Sequence, residues 1–259
     1  MHQGVCFPMR ILVVNDDGVG DGLLALARVA ERLGHSVFLA TTHDQRSGYS
    51  KSVSFKATYT PAKIGGYEGI VTNSSPASAV LLAFKVFGKE FDFVLSGVNM
   101  GPNLGLWDIL SSGTVGAVLE AALHGVPGAA VSLVAGSHEE YSSLTYEDYE
   151  RAARLAVDLL ERLEWRPPCE VLNINVPLRT NGSVKFTLPE RVPPRDLYRC
   201  SGNECRMGYW TLQESYVCSN PRSDVCAIKE GFVSVTPLSP GSLAREDLVK
   251  KLTRSTSLG

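Results

Sequence analysis

Arg10-Ile11-Leu12-Val13-Val14-Asn15 runs straight into Asp16-Asp17-Gly18. An unbroken apolar run ended by turn residues is how a strand buried on both faces of a parallel sheet reads. Here the strand ends at two aspartates. Leu23, Leu24, Leu26, Ala27, Ala30 and Leu33 then recur at helical spacing, Gly34 supplies the stop, and 36–40 is a second apolar strand. The pattern repeats, with helices predicted over 77–87, 115–124 and 146–162 and strands over 91–96, 129–134 and 171–176. The helix over 146–162 carries its stripe on Ala152, Leu155, Ala156, Leu159, Leu160 and Leu163. Alternation of this kind predicts an α/β protein, a Rossmann-like, doubly wound and mainly parallel sheet with right-handed crossovers.

The 259 residues leave room for one large domain with an appendage. Met9 is a second possible start, so 1–8 reads as a possible N-terminal extension and 9–177 as the catalytic core. After Pro177 the composition shifts: prolines stand at 189, 193, 194 and 221, together with Cys200, Cys205, Cys218 and Cys226. Residues 178–259 therefore read as a hairpin and extended arm, without a clear helix before about Leu243, packing on the core and on a neighbouring subunit. The four cysteines form no CxxC pair, and free thiols, one or two disulfides, or a metal site all stay open. A net charge of -2 supplies no field for a nucleic-acid polymer. With no apolar run near the roughly 20 residues a span requires, and no leader-like start, the expectation is a cytoplasmic protein without membrane contact.

In a doubly wound sheet, ligands bind beyond the carboxyl ends of the strands. Asp16 and Asp17 stand in the first such loop, Ser47 in the second (44–48), and Asn99 and Asn103 in the third (96–103). Adjacent carboxylates leaving a buried strand repel each other and lose water, which a divalent cation with oxygen ligands offsets. One magnesium or manganese ion suits this set, with Ser47 and Asn99 adding neutral oxygens. The plainer alternative is a helix cap or a turn. Ser111-Ser112-Gly113-Thr114 precedes a helix, and helix-terminal N–H groups and hydroxyls can cradle phosphate; an ordinary N-cap would read the same. Asn103, with Gly101 and Gly105, makes another polar loop of close approach. Of the histidines at 2, 35, 43, 124 and 138, His43 lies in a favoured loop and His124 ends a helix, and neither is assigned to catalysis. The sequence holds no Walker lysine, G-x-G-x-x-G or G-x-S-x-G.

The run 9–18, Gln45-Arg46-Ser47-Gly48, the run 96–105, Ser111, Gly113-Thr114-Val115, the run 172–177, Ser223-Asp224 and the run 231–238 follow in order across nearly the whole chain. As a set they resemble the SurE survival protein family. The resemblance implies a metal-dependent phosphatase of nucleoside 5'- and 3'-monophosphates, with a C-terminal arm exchanged in a homodimer or homotetramer. By motif position Asp16, Asp17, Ser47 and Asn99 would be the metal ligands, with Asp16 and Asn99 catalytic. Ser111, Gly113 and Thr114, joined by Asn103 and Asn15, would surround the phosphate. The chain departs from the family pattern at Val19-Gly20-Asp21-Gly22, shorter and with an extra acid beside the metal loop. It departs again at Ser74-Ser75-Pro76-Ala77-Ser78, which bears on substrate preference.

The reaction implied is phosphomonoester hydrolysis, with water activated by the metal or by Asp16 and helix-terminal donors on the transferring group. An aspartyl-phosphate on Asp16 is the mechanistic rival. A nucleotide-binding regulatory protein with negligible turnover is the rival of another class, because fold alone never establishes catalysis. A sugar-nucleotide transferase would need a second, acceptor-binding domain.

Overall fold

The computed structural model describes residues 8–167, 169–195, 197–207, 211–243 and 247. The order is β1 (Arg10–Asn15), α1 (Asp21–Arg32), β2 (Ser36–Thr42), β3 (Tyr59–Ile64), β4 (Tyr67–Thr72), α2 (Pro76–Phe87), β5 (Phe93–Met100), α3 (Gly105–Ser111), α4 (Gly113–Leu123) and β6 (Gly128–Val134). There follow α5 (His138–Ser142), α6 (Tyr146–Arg162), β7 (Val171–Pro177), β8 (Val184–Phe186), β9 (Tyr198–Ser201), β10 (Glu204–Met207), α7 (Leu212–Ser215), α8 (Asp224–Lys229) and β11 (Val233–Leu238), and then a 3-10 turn at Pro240–Leu243. Among the described residues one nine-stranded sheet has the order β3-β4-β2-β1-β5-β6-β7-β11-β8, and β9 and β10 form a separate two-stranded ribbon.

From β4 to β7 every pairing is parallel, whereas β3 and β11 run antiparallel to their neighbours β4 and β7. The apolar run of β1 is explained by its two covered faces. Ile11 and Val13 enter the core beneath α1 and α6, and Leu12 and Val14 enter the core beneath α2 and α4. Each such buried aliphatic side chain contributes roughly 1.5–3 kcal/mol of transfer free energy. Local signals set the helix starts: Ser75 accepts from Ser78 N–H ahead of Pro76, and Thr145 with Asp148 makes a capping box for α6.

Four features differ from the sequence reading. Tyr59–Ile64 and Tyr67–Thr72 form a hairpin around Gly65-Gly66, although Pro61 and an exposed, unpatterned strand hide it. β5 continues past Ser96 to Met100 through a register shift between Ser96 and Asn99. Gly97 sits there at φ +120°, where an added Cβ would lie 2.2 Å from the Val131 carbonyl, so only glycine fits. Beyond Pro177 the chain returns to the main sheet as β8 and β11, and α8 is a helix well before Leu243. The terminal helix expected from about Leu243 and, apart from Pro8, the expected extension 1–8 lie outside the described residues.

Cys200–Cys205 bridges the β9–β10 ribbon and Cys218–Cys226 ties α8 to the segment before it, so of the three cysteine readings left open the structure has the one with two disulfides. Among the described residues Cys169 is a free thiol, and no single helix is long and apolar enough to cross a membrane.

Candidate active site

The topological switch point falls where the chain leaves β1 for β2 on one side and returns to pair β5 on the other. Asp16 and Asp17 follow β1 directly. Arg46 N–H donates to the Asp16 carbonyl at 2.7 Å and Gln45 Nε2 reaches Asp17 Oδ1 at 3.5 Å, so the loop bearing Ser47 closes on the aspartates from the β2 side. From the β5 side Met100 N–H donates to the Asp17 carboxylate, which brings the neighbouring Asn99 to the same place. Asn99 Nδ2 donates to the Gly101 carbonyl at 3.0 Å, and its Oδ1 has no hydrogen-bond donor among the described residues. Ser47 is exposed in its loop.

Helix α4 approaches from above. Ser112 is its N-cap, its hydroxyl oxygen accepting from Val115 N–H. The next residue, Gly113, stands so close to Asp16 that a Cβ there would lie 2.6 Å from Asp16 Oδ2. Thr114 Oγ1 donates to Asp16 Oδ1 at 2.8 Å, and Thr114 N–H also reaches that carboxylate. Burial, then the neighbouring Asp17, pushes the Asp16 carboxyl up to about 7 against these donors. Burial raises Asp17 as well, opposed by Met100 N–H and Gln45.

The proposed metal ligands thus come from three loops that meet at one point. The residues assigned to the phosphate fare differently. Thr114 is wholly buried and its hydroxyl donates to Asp16, so it orients that carboxylate. Ser111 is the last residue of α3, not a helix start, and its hydroxyl donates back to the carbonyls of Trp107 and Asp108. Asn15 donates to the Gly18 carbonyl and accepts from Thr41 Oγ1, so it shapes the aspartate loop. Asn103 Nδ2 is taken by Ser132 Oγ at 2.8 Å. Gly113 N–H alone of this group keeps a donor without a partner among the described residues.

The N–H groups of residues 103 to 106, which begin α3, are each taken by a different part of the chain. Asn103 N–H donates to Asn175 Oδ1 at 2.9 Å, Leu104 N–H to Asp108 Oδ2 at 3.0 Å, Gly105 N–H to Asp224 Oδ2 at 2.8 Å and Leu106 N–H to the Glu190 carbonyl at 2.8 Å. Tyr216 OH completes Asp108 at 2.7 Å. Burial pushes Asp108 up to about 7 and Asp224 up to about 6, whereas donors from Ser219 and from the N–H groups of Arg191 and Val192 outweigh burial at Glu190 and hold it at about 2. Motif reading gave these acids no role. The available signal was Asn173 and Asn175, polar residues two apart in an apolar strand and so on one buried face. His43 is exposed beside Asp44 and His124 pairs with Glu120.

Fold and site together define a doubly wound α/β protein with an oxygen-rich cluster at its switch point. The Survival protein SurE family model matches residues 11–192, and the chain belongs to that family. Among curated relatives bearing the name 5'-nucleotidase SurE, that of Acinetobacter baylyi is 36% identical over 247 residues, covering 89% of this chain and 93% of its own length. That of Archaeoglobus fulgidus is 31% identical over 238 residues, covering 89% and 91%. The crystal structure of the SurE protein from Aquifex aeolicus superposes with a TM-score of 0.76 at 27% identity, covering 95% of this chain and 99% of that one.

Proposed function

We propose that this chain is a nucleotidase, a divalent-metal-dependent phosphomonoesterase that hydrolyses nucleoside 5'- and 3'-monophosphates. The observation that carries the reading is the Asp16–Asp17 pair, two carboxylates raised by burial, on which the Ser47 loop closes through Arg46 and Gln45 and the Asn99 loop through Met100 N–H, Asn99 Oδ1 having no donor among the described residues. Hard oxygens around mutually repelling acids suit magnesium or manganese, and Asp16, Asp17, Asn99 and the exposed Ser47 would hold one such ion. When bound, the ion supplies Lewis acidity toward a phosphoryl oxygen. The chain's own part is to bind, orient and move a proton. Gly113 N–H, at the positive end of α4, receives a phosphate oxygen. Thr114 holds the Asp16 carboxylate in one orientation, and Asp16 takes the proton from the attacking water. The names of the relatives support the nucleotidase reading. Assembly of a homodimer or homotetramer through the arm 178–259, which includes the exposed β9–β10 ribbon, belongs to the same proposal, as does a cytoplasmic setting.

The test is phosphate release from a panel of nucleoside monophosphates with manganese, with magnesium and with EDTA, wild type beside Asp16→Asn. Release should require metal and vanish in the variant, because a neutral amide replaces a charged ligand. Full turnover in EDTA, or an unimpaired variant, would sink the proposal.

A further inference from the structure

Asn175 stands in one cross-strand row with the proposed metal ligand Asn99, since Asn99 pairs with Ser132 on β6 and Ser132 pairs with Asn175 on β7. The loop that follows Asn99 folds back over this row. Asn175 grips its Asn103 peptide at both ends: Asn103 N–H donates to Asn175 Oδ1 at 2.9 Å, and Asn175 Nδ2 donates to the Asn103 carbonyl at 3.1 Å. Asn173 Nδ2 adds a second donor to that carbonyl at 2.7 Å, and Asn103 Nδ2 is held by Ser132. Two residues earlier, Gly101 N–H is fixed on the Leu133 carbonyl at 3.0 Å, and the Gly101 carbonyl receives Asn99 Nδ2. Only Pro102, with its locked φ, separates the two anchored peptides.

We infer that Asn175 is a positioning residue: by clamping the Asn103 peptide it fixes the Gly101 carbonyl, which turns the Asn99 carboxamide so that Oδ1 faces the cation site. This rests on the metal reading given above. The physical logic is that of any outer partner of a ligand. A carboxamide whose nitrogen is held can present its oxygen in one direction, and losing such a partner weakens metal affinity by roughly 10–100-fold. Asn175 is fully buried and both ends of its carboxamide are bonded to the Asn103 backbone, so its part is directional and not one of filling space alone.

The experiment is Mn2+ binding to the purified full chain, read from the electron paramagnetic resonance signal of free Mn2+, for wild type, Asn175→Ala, Asn175→Asp and Thr236→Val. Asn175→Asp keeps the volume and the acceptor toward Asn103 N–H but sets an oxygen against the Asn103 carbonyl. Thr236 is buried in the adjoining row, where it bonds Thr187, and controls for any polar-to-apolar change in the sheet. Both Asn175 variants should bind Mn2+ at least tenfold more weakly. Their half-activating Mn2+ concentration should rise to match, while kcat at saturating Mn2+ stays within about threefold, and Thr236→Val should bind as wild type does. Should Asn175→Ala fail to fold, the size-preserving Asn175→Asp decides alone. Wild-type affinity in Asn175→Asp, or an equal loss in Thr236→Val, overturns the inference. Failure of the wild type to bind Mn2+ would instead remove the metal reading on which the inference rests.

Discussion

Substituting Gly113 by alanine adds a single methyl group at the point where α4 meets Asp16. That Cβ would lie 2.6 Å from Asp16 Oδ2, 3.1 Å from Pro76 Cγ and 3.2 Å from the Arg46 carbonyl oxygen. To reach ordinary contact the helix and the carboxylate must part by about 0.8 Å, an overpacking that costs roughly 1–3 kcal/mol. Pro76 is fixed in the first turn of α2, and the Arg46 carbonyl is engaged by Tyr49 N–H, so the aspartate is the neighbour that yields. Shifting it disturbs the bond to Thr114 and the proposed ligand geometry, and a misplacement near 1 Å costs about 100-fold in rate. Helix propensity pulls the other way only weakly, because the roughly 0.5–1 kcal/mol by which alanine exceeds glycine applies to a helix interior and Gly113 is the first residue of α4. The sign of the change in Tm therefore separates the two effects. We expect Tm to fall by several degrees, at roughly 2–4 °C per kcal/mol for a chain near this size, and metal-dependent phosphate release to drop about 100-fold in kcat/KM. A Gly113→Ala protein with unchanged or higher Tm and wild-type kcat/KM would refute the close-approach argument.

Thr114→Val keeps the shape but removes the hydroxyl donor from Asp16; a hydrogen bond to a charged group is worth about 1.5–3 kcal/mol, so Mn2+ should bind roughly 10–100-fold more weakly, and an unaltered titration would contradict the role given to Thr114. Burial raises Asp16 and Asp108 to about 7 and Asp224 to about 6 from 3.8, so between about pH 4 and 7 the folded metal-free chain binds more protons than the unfolded one. Its stability should therefore fall as pH rises through that window; His35, whose pKa burial lowers, works against this, mainly below 6.5. Urea midpoints in EDTA should be lower at pH 8 than at pH 5 and recover at pH 8 with Mn2+, and a higher midpoint at pH 8 in EDTA would contradict the raised carboxyls. Cys226→Ser opens a loop whose Ser219 and Asp224 bond Glu190 and Gly105, at a cost of about 2–3 kcal/mol, whereas Cys205→Ser should leave the main melting transition in place because every residue of β9 and β10 is exposed. Equal losses in calorimetry would show that the ribbon is part of the cooperative core.

Periodicity and turn residues carried the architecture in this chain. Arg10–Asn15 is apolar throughout because helices cover both faces of β1, and α6 shows its stripe because only one side of it meets the sheet. Burial of that kind acts on each residue through its own neighbours in sequence, so it leaves a pattern. The aspartate pair was legible for a related reason: two acids at the end of a buried strand are costly enough that their presence is informative. The Tyr59–Thr72 hairpin was not, since β3 is an exposed edge strand with little apolar pattern to leave. Hydrogen-bond partners were less legible still. Thr114 looked like a phosphate donor from its place near a helix start, and only the packing of α4 against β1 shows that its hydroxyl is spent on Asp16. Nothing local in Asn103 to Leu106 announces that their N–H groups will be met by Asn175, Asp108, Asp224 and Glu190. The sequence by itself determined which segments are buried and where charge collects, because those depend on composition along a short window. Which donor meets which acceptor was decided by the tertiary structure, since partners up to 119 positions apart become neighbours only when the chain folds.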